Sequence, residues 1–163
     1  MLNQALIPEL KHEASSTRKI LESVPDGKFD WKPHEKSMTL GRLASHVAEI
    51  PDWMTATLTT DELDFAKSNY KPTSPASKEE LLGKFEQSYA KALESLQAAT
   101  DETLRGNWTL RNADHVIFTM PRIATLRSFV MNHLIHHRGQ LTVYLRLLDL
   151  PVPGMYGPSA DEK

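Results

Sequence analysis

The sequence predicts an all-α four-helix bundle with a small β-hairpin between its third and fourth helices. Four stretches repeat apolar residues at three- and four-residue steps, the spacing that lines one face of a helix. Proline and glycine punctuate the gaps: Pro25-Asp26-Gly27, then Pro72 and Pro75, then Pro151 and Pro153. Between 101 and 120 the pattern changes. Trp108-Thr-Leu110 and His115 to Thr119 are β-prone runs around Asn112-Ala-Asp114, which is a hairpin signal. The 163 residues are expected to form one domain, 1–163, large enough to bury a core.

The first helix is expected from Leu2 to Val24, with Leu2, Leu6, Leu10, Thr17, Ile20 and Val24 on one face. Pro25-Asp26-Gly27 stops it. Lys28 to Ser37, with Trp31, Pro33 and His34, reads as an ordered loop. The second helix starts near Thr39, whose hydroxyl suits an N-cap. It carries Leu40, Leu43, His46, Val47, Ile50, Trp53 and Met54. Pro51 lies inside it, lacks an N–H and crowds the Val47 carbonyl, so a kink is expected there. Asp61 to Ser77 reads as a long polar crossover. The third helix spans Lys78 to Ala99 with Leu82, Phe85, Tyr89, Ala92, Leu96 and Ala99 on its seam. The fourth opens at Pro121 and ends near Asp149. In the tail beyond it, Met155 and Tyr156 are expected to dock on the bundle.

Composition excludes several functions. The formal net charge is −2 and no basic stripe is present, which argues against nucleic-acid binding. No apolar run reaches the ~18–20 residues of a membrane span, and the N-terminus lacks the plan of a signal peptide. A cytoplasmic location is expected. There is no cysteine, hence no disulfide, no thiolate zinc site and no cysteine nucleophile. A metal site must therefore use His, Asp or Glu, which suits Zn, Ni, Fe or Mn.

The fourth helix carries the chemistry. Its seam reads Ile123, Leu126, Val130, His133, His137, Gln140, Tyr144, Leu148, with two imidazoles and an amide where Leu or Ile would be expected. Residues four apart share a face, with Cβ atoms about 5–6 Å apart, so His133 and His137 could close on one ion. A buried imidazole must satisfy both ring nitrogens. A metal takes one and an outer acceptor the other. A third ligand must come from another helix, and His46, among Leu43, Ile50 and Trp53, is the best candidate. Three neutral imidazoles leave a coordination position open. The same pattern also fits hydrogen-bonded core histidines without a metal. His136 points off the seam, as a flank residue or substitute ligand. His12, His34 and His115 read as surface-helix, loop and hairpin residues. Glu13 falls in an apolar stripe of the first helix and reads as an exposed helix edge before a carboxylate supporting the ligands. Trp31, Trp53 and Trp108 read as core. Neither a Gly-rich phosphate loop nor a Gly-x-Ser-x-Gly elbow is present.

Two longer motifs add to this. His133-Leu-Ile-His-His137-Arg-Gly-Gln-Leu-Thr-Val-Tyr144, followed by Pro151-Val-Pro-Gly-Met-Tyr-Gly-Pro158, resembles the C-terminal half of DinB/YfiT-like proteins. Trp31-Lys-Pro-His34 leading into Leu40-Gly-Arg-Leu-Ala-Ser-His46-Val-Ala-Glu-Ile-Pro51 resembles their N-terminal half. The resemblance implies an up-down-down-up bundle, commonly a homodimer, with a divalent metal, often nickel or zinc, on three histidines. Carried onto this chain, those are His46, His133 and His137. Family members with known reactions include bacillithiol transferases and a mycothiol-dependent isomerase. The expected function is therefore a metal-dependent enzyme, a hydrolase or thiol S-transferase, that activates water or a low-molecular-weight thiol cosubstrate against a small molecule. Gln140, Glu49 and Asp52 are candidates to orient ligands or substrate. The alternative is a non-catalytic, stress-related metal-binding bundle.

Overall fold

The computed structural model describes residues 1–162. Four long helices dominate it: α1 Asn3–Glu22, α2 Leu40–Thr59, α3 Lys78–Ala98 and α6 Asn132–Leu147. A short α4 (Asp101–Arg105) follows α3, and a three-residue α5 (Arg122–Ala124) opens the last rod. The strands are β1 Glu62–Asp64, β2 Asn107–Asn112 and β3 His115–Pro121.

Helix starts follow local chemistry. Thr39 caps α2 by accepting from the Arg42 N–H, Ser77 caps α3 by accepting from Glu80, and Thr100 caps α4 by accepting from Thr103. Glu79 and Glu80 also place negative charge in the first turn of α3. Gly27 turns the chain after α1 with φ +77°. Gly41 lets the incoming loop lie on α2, because a Cβ there would stand 2.8 Å from Phe29. The α2 helix runs unbroken through Pro51.

The core gathers Leu10, Ile20 and Leu21 with Leu43, Ile50, Phe85, Leu96, Leu126 and Leu141, all buried. In α3 the buried line is Leu81, Phe85, Ser88, Ala92 and Leu96. Leu82 and Tyr89 lie half-buried at its edge. Trp108 is fully buried, as expected. Trp31 and Trp53 are only half-buried: Trp31 lies edge-on to Tyr144, and Trp53 lines an open cavity.

The expected hairpin is β2–β3, paired antiparallel with an irregularity between Leu110 and Arg111. A third strand, β1, lies parallel to β2, with Glu62 opposite Thr109. It falls in the segment expected to be only a polar crossover, since three residues are too few to show alternation. Asp64 ties β1 to the hairpin turn by accepting from the N–H groups of Ala66 (3.0 Å) and Ala113 (2.9 Å). Buried Arg122 joins sheet to helix. It donates to the carbonyls of Thr57 (2.9 Å), Thr60 (2.9 Å) and Asn107 (2.8 Å), satisfying acceptors at the end of α2.

The fourth rod departs from expectation at its centre. Between α5 and α6 the chain is π-helical over Thr125–Met131. A π turn holds an extra residue, so the side chains beyond it shift around the axis. The buried line becomes Leu126, Val130, Met131, Leu134, His137, Arg138, Leu141 and Leu145. Gln140, expected on the buried seam, is exposed, and Ile123, Tyr144 and Leu148 are half-buried. Glu13 is also corrected. It is 4% exposed rather than an open edge, because Arg138 from α6 pairs with it inside the bundle. Arg138 also donates to the Glu13 carbonyl at 3.0 Å and to Thr17 Oγ1 at 3.2 Å. The tail docks as expected, with Tyr156 Oη on the Glu13 carboxylate at 2.9 Å.

Candidate metal centre

His46 on α2 and His133 and His137 on α6 meet at one point. Their ring centroids form a near-equilateral triangle: 4.9 Å for 46–133, 4.6 Å for 46–137 and 4.7 Å for 133–137. One nitrogen from each lies within 4.8 Å of the other two. The shift beyond the π turn puts His133 and His137 at the border of the core face, looking across to α2, rather than in its middle. His136 packs against His137 with centroids 4.8 Å apart but stays exposed and outside the cluster. His12, His34 and His115 are exposed on α1, a loop and β3.

The hydrogen bonding of the cluster is incomplete. His46 Nε2 faces His133 Nε2 at 3.2 Å. The Nδ1 atoms of both rings are buried without a protein partner. Two neutral imidazoles facing each other make at most one hydrogen bond, so protein groups alone leave this pair poorly satisfied. His137 differs. Its Nδ1 lies 2.7 Å from Gln140 Oε1. An amide oxygen only accepts, so Nδ1 carries the proton and Nε2 keeps its lone pair.

The donor set fits a divalent ion. Two nitrogens bound at about 2.0–2.1 Å with a tetrahedral angle between them stand about 3.3 Å apart, and the 46–133 pair stands at 3.2 Å. The protonation states fit too. Burial, then the neighbouring His137, push His46 down to about 4. Burial and the same neighbour push His133 to about 4. Burial also lowers His137, although its bond to Gln140 works the other way. All three rings are therefore neutral at neutral pH, the form that binds metal.

Of the other residues expected to orient ligands, Gln140 touches the cluster and the two acids do not. Glu49 is buried and turned to the crossover after β1, where Tyr70 Oη donates to it at 2.7 Å and the Thr73 N–H at 2.6 Å. Burial pushes its carboxyl up, but the bonds from Thr73 and Tyr70 and the charge of Arg42 hold it below its usual range. Asp52 pairs with Lys84 at 2.7 Å. Sequence reasoning passed over Arg42 and Phe129. Arg42 stands one turn before His46, bonds Tyr70 Oη at 3.2 Å, and its charge disfavours protonation of His46 and His137. Its i−4 spacing from His46 was a readable signal. Phe129, 5.7 Å from His133 between ring centroids, had no such signal, because it lies in the π turn.

Known proteins share this architecture. The sequence model of the DinB family matches residues 1–163. The uncharacterized protein YrdA of Bacillus subtilis (strain 168) is 31% identical over 151 residues, covering 92% of this chain and 85% of YrdA. A DinB-like protein from Bacillus cereus ATCC 10987 superposes with a TM-score of 0.73 at 28% identity, over 94% of this chain and 97% of that one. YfiT from Bacillus subtilis, described as a probable metal-dependent hydrolase with an unusual four-helix bundle topology, gives a TM-score of 0.63 at 16% identity. It is matched over 91% of this chain and 89% of its own. At that identity YfiT speaks to the fold alone. With the family's sequence pattern running from end to end of a bundle that joins three histidines, the chain belongs to the DinB family.

Proposed function

We propose that His46, His133 and His137 hold a divalent metal ion, nickel or zinc before iron or manganese, and that the protein is a metal-dependent enzyme acting on a small molecule. The observation that carries this reading is the pair of facing Nε2 atoms at 3.2 Å, with both Nδ1 atoms unpartnered. That arrangement is poor for hydrogen bonding and good for sharing a cation. A divalent ion on three imidazoles supplies Lewis acidity that brings the pKa of a water or a thiol towards neutrality.

The remaining roles belong to the chain. Burial keeps His46 and His133 free of protons, so their lone pairs stay available. Gln140 fixes the tautomer of His137 and aims its Nε2 at the cluster. Glu49, one turn beyond His46, holds the crossover against α2 through Tyr70 and Thr73. No cysteine stands in the chain, so in a thiol transfer the sulfur nucleophile comes with a cosubstrate. Hydrolysis and thiol transfer are the two reaction classes that such a centre can serve, and the chain's motifs do not choose between them. Elemental analysis of freshly purified protein tests the metal. About one nickel or zinc per chain is expected in wild type and less than a tenth of that in His137→Ala. Equal metal in both proteins sinks the three-histidine site.

A further inference from the structure

A cavity of about 130 Å³ opens on the same face of α2 as His46. Trp53, Ala56, Leu63 and Phe65 give it apolar walls. Its two acids already have partners, Glu49 in Tyr70 and Thr73, and Asp52 in Lys84. A cationic ligand would have to break those pairs, and an anionic one would face two carboxylates. The cavity therefore suits an uncharged group.

Its place and shape say more. Glu49 lines the cavity one turn beyond His46. On the other side a chain of rings leads to the histidines. Trp53 and Phe129 lie 5.3 Å apart between centroids, and Phe129 and His133 lie 5.7 Å apart. Both aromatic neighbours of Trp53 meet it edge-on, Phe65 at 68° and Phe129 at 88°, so neither ring stacks on the indole. Aromatic partners also prefer offset stacking, which a flat guest could supply. Phe65 is 40% exposed, an unfavourable place for a phenyl ring unless something covers it. The volume matches, since an apolar cavity of about 150 Å³ accepts benzene.

We infer that this cavity binds the apolar part of the small molecule acted on at the three histidines, and that the group it takes is an uncharged, flat ring of about benzene's size. The assignment rests on the reading of the histidines as a metal-dependent reaction centre.

Toluene is a suitable probe, titrated into the metal-free protein and followed by amide shifts and intermolecular NOEs in NMR spectra. Saturable shifts centred on Trp53, Ala56 and Phe65, with NOEs from the probe to the Phe129 ring, are expected. Phe65→Ala, in an exposed segment, should keep its melting temperature and bind toluene about fivefold more weakly, the loss of one aromatic pair. Ala56→Phe should fill the space and abolish binding. No saturable binding in wild type, shifts centred elsewhere on the bundle, or equal binding by both variants would each overturn the assignment. Metal plays no part in this readout. Failure of toluene to bind removes the cavity assignment whatever the metal content. Absence of metal by elemental analysis removes the reaction-centre reading whatever toluene does.

Discussion

Single residues behind the histidines decide how well the cluster is held. Arg138 follows His137 in sequence but points into the bundle, 1% exposed, where it pairs with the Glu13 carboxylate. Breaking a buried pair leaves an uncompensated charge, so Arg138→Met should cost about 3–5 kcal/mol of unfolding free energy in urea. Adding Glu13→Gln to that variant should recover part of the loss, and a double mutant no more stable than Arg138→Met would show that the pair is not the cause. The histidines themselves predict a pH dependence. Unfolded imidazoles protonate near ~6.5, whereas His46 and His133 in the fold protonate near about 4. Between these values the unfolded chain binds more protons. The stability of the metal-free protein is thus fully present above pH ~6.5 and falls as pH drops towards about 4. Thermal melts of the metal-free protein across that window should show the decline, shallower in His133→Leu, which lacks one of the depressed groups. Identical slopes for both proteins would count against the depressed values.

At the scale of elements, the junction between α2, the sheet and α5 depends on Arg122. Three backbone carbonyls and Asp61 converge on its guanidinium, but only the carbonyl contacts are sheltered, because the Asp61 side chain is fully exposed. Arg122→Ala should cost about 3 kcal/mol by leaving carbonyls at the end of α2 unpaired. Asp61→Asn should leave the urea midpoint unchanged, since exposed ion pairs contribute little. The reverse order of effects would mean that the ion pair, not the helix end, is what Arg122 serves. The π-helical stretch is the other decisive element. It turns the face of α6 so that Leu134, Leu141 and Leu145 fill the core while His133 and His137 look across at His46.

For the whole molecule, the question is whether the bundle needs its metal. The core is continuous from α1 to α6 without help from the histidines. His133→Leu replaces a half-buried polar ring with an apolar side chain of similar size, so the fold should survive, and three melting curves test this. Wild type with chelator sets the reference. His133→Leu should melt well above it and bind no metal, which favours a metal that serves chemistry. A variant melting with or below chelated wild type would favour the structural reading instead.

The sequence by itself determined the four long helical rods, the hairpin and the identity of the three histidines, because periodicity, caps and turn residues act over a few neighbouring positions. Thr39, Ser77 and the run from Trp108 to Thr119 were legible for that reason. Only the tertiary structure decided what depends on partners far along the chain. Glu13 looked like an edge residue until Arg138, 125 positions away, came to meet it. The strand β1 exists because β2 pairs with it, and Trp53 lines a cavity because the segment after β1 stands opposite. Gln140 left the core for a quieter role on His137 because the π turn moved the seam, and a one-residue change of helical register leaves no mark in the spacing of apolar residues.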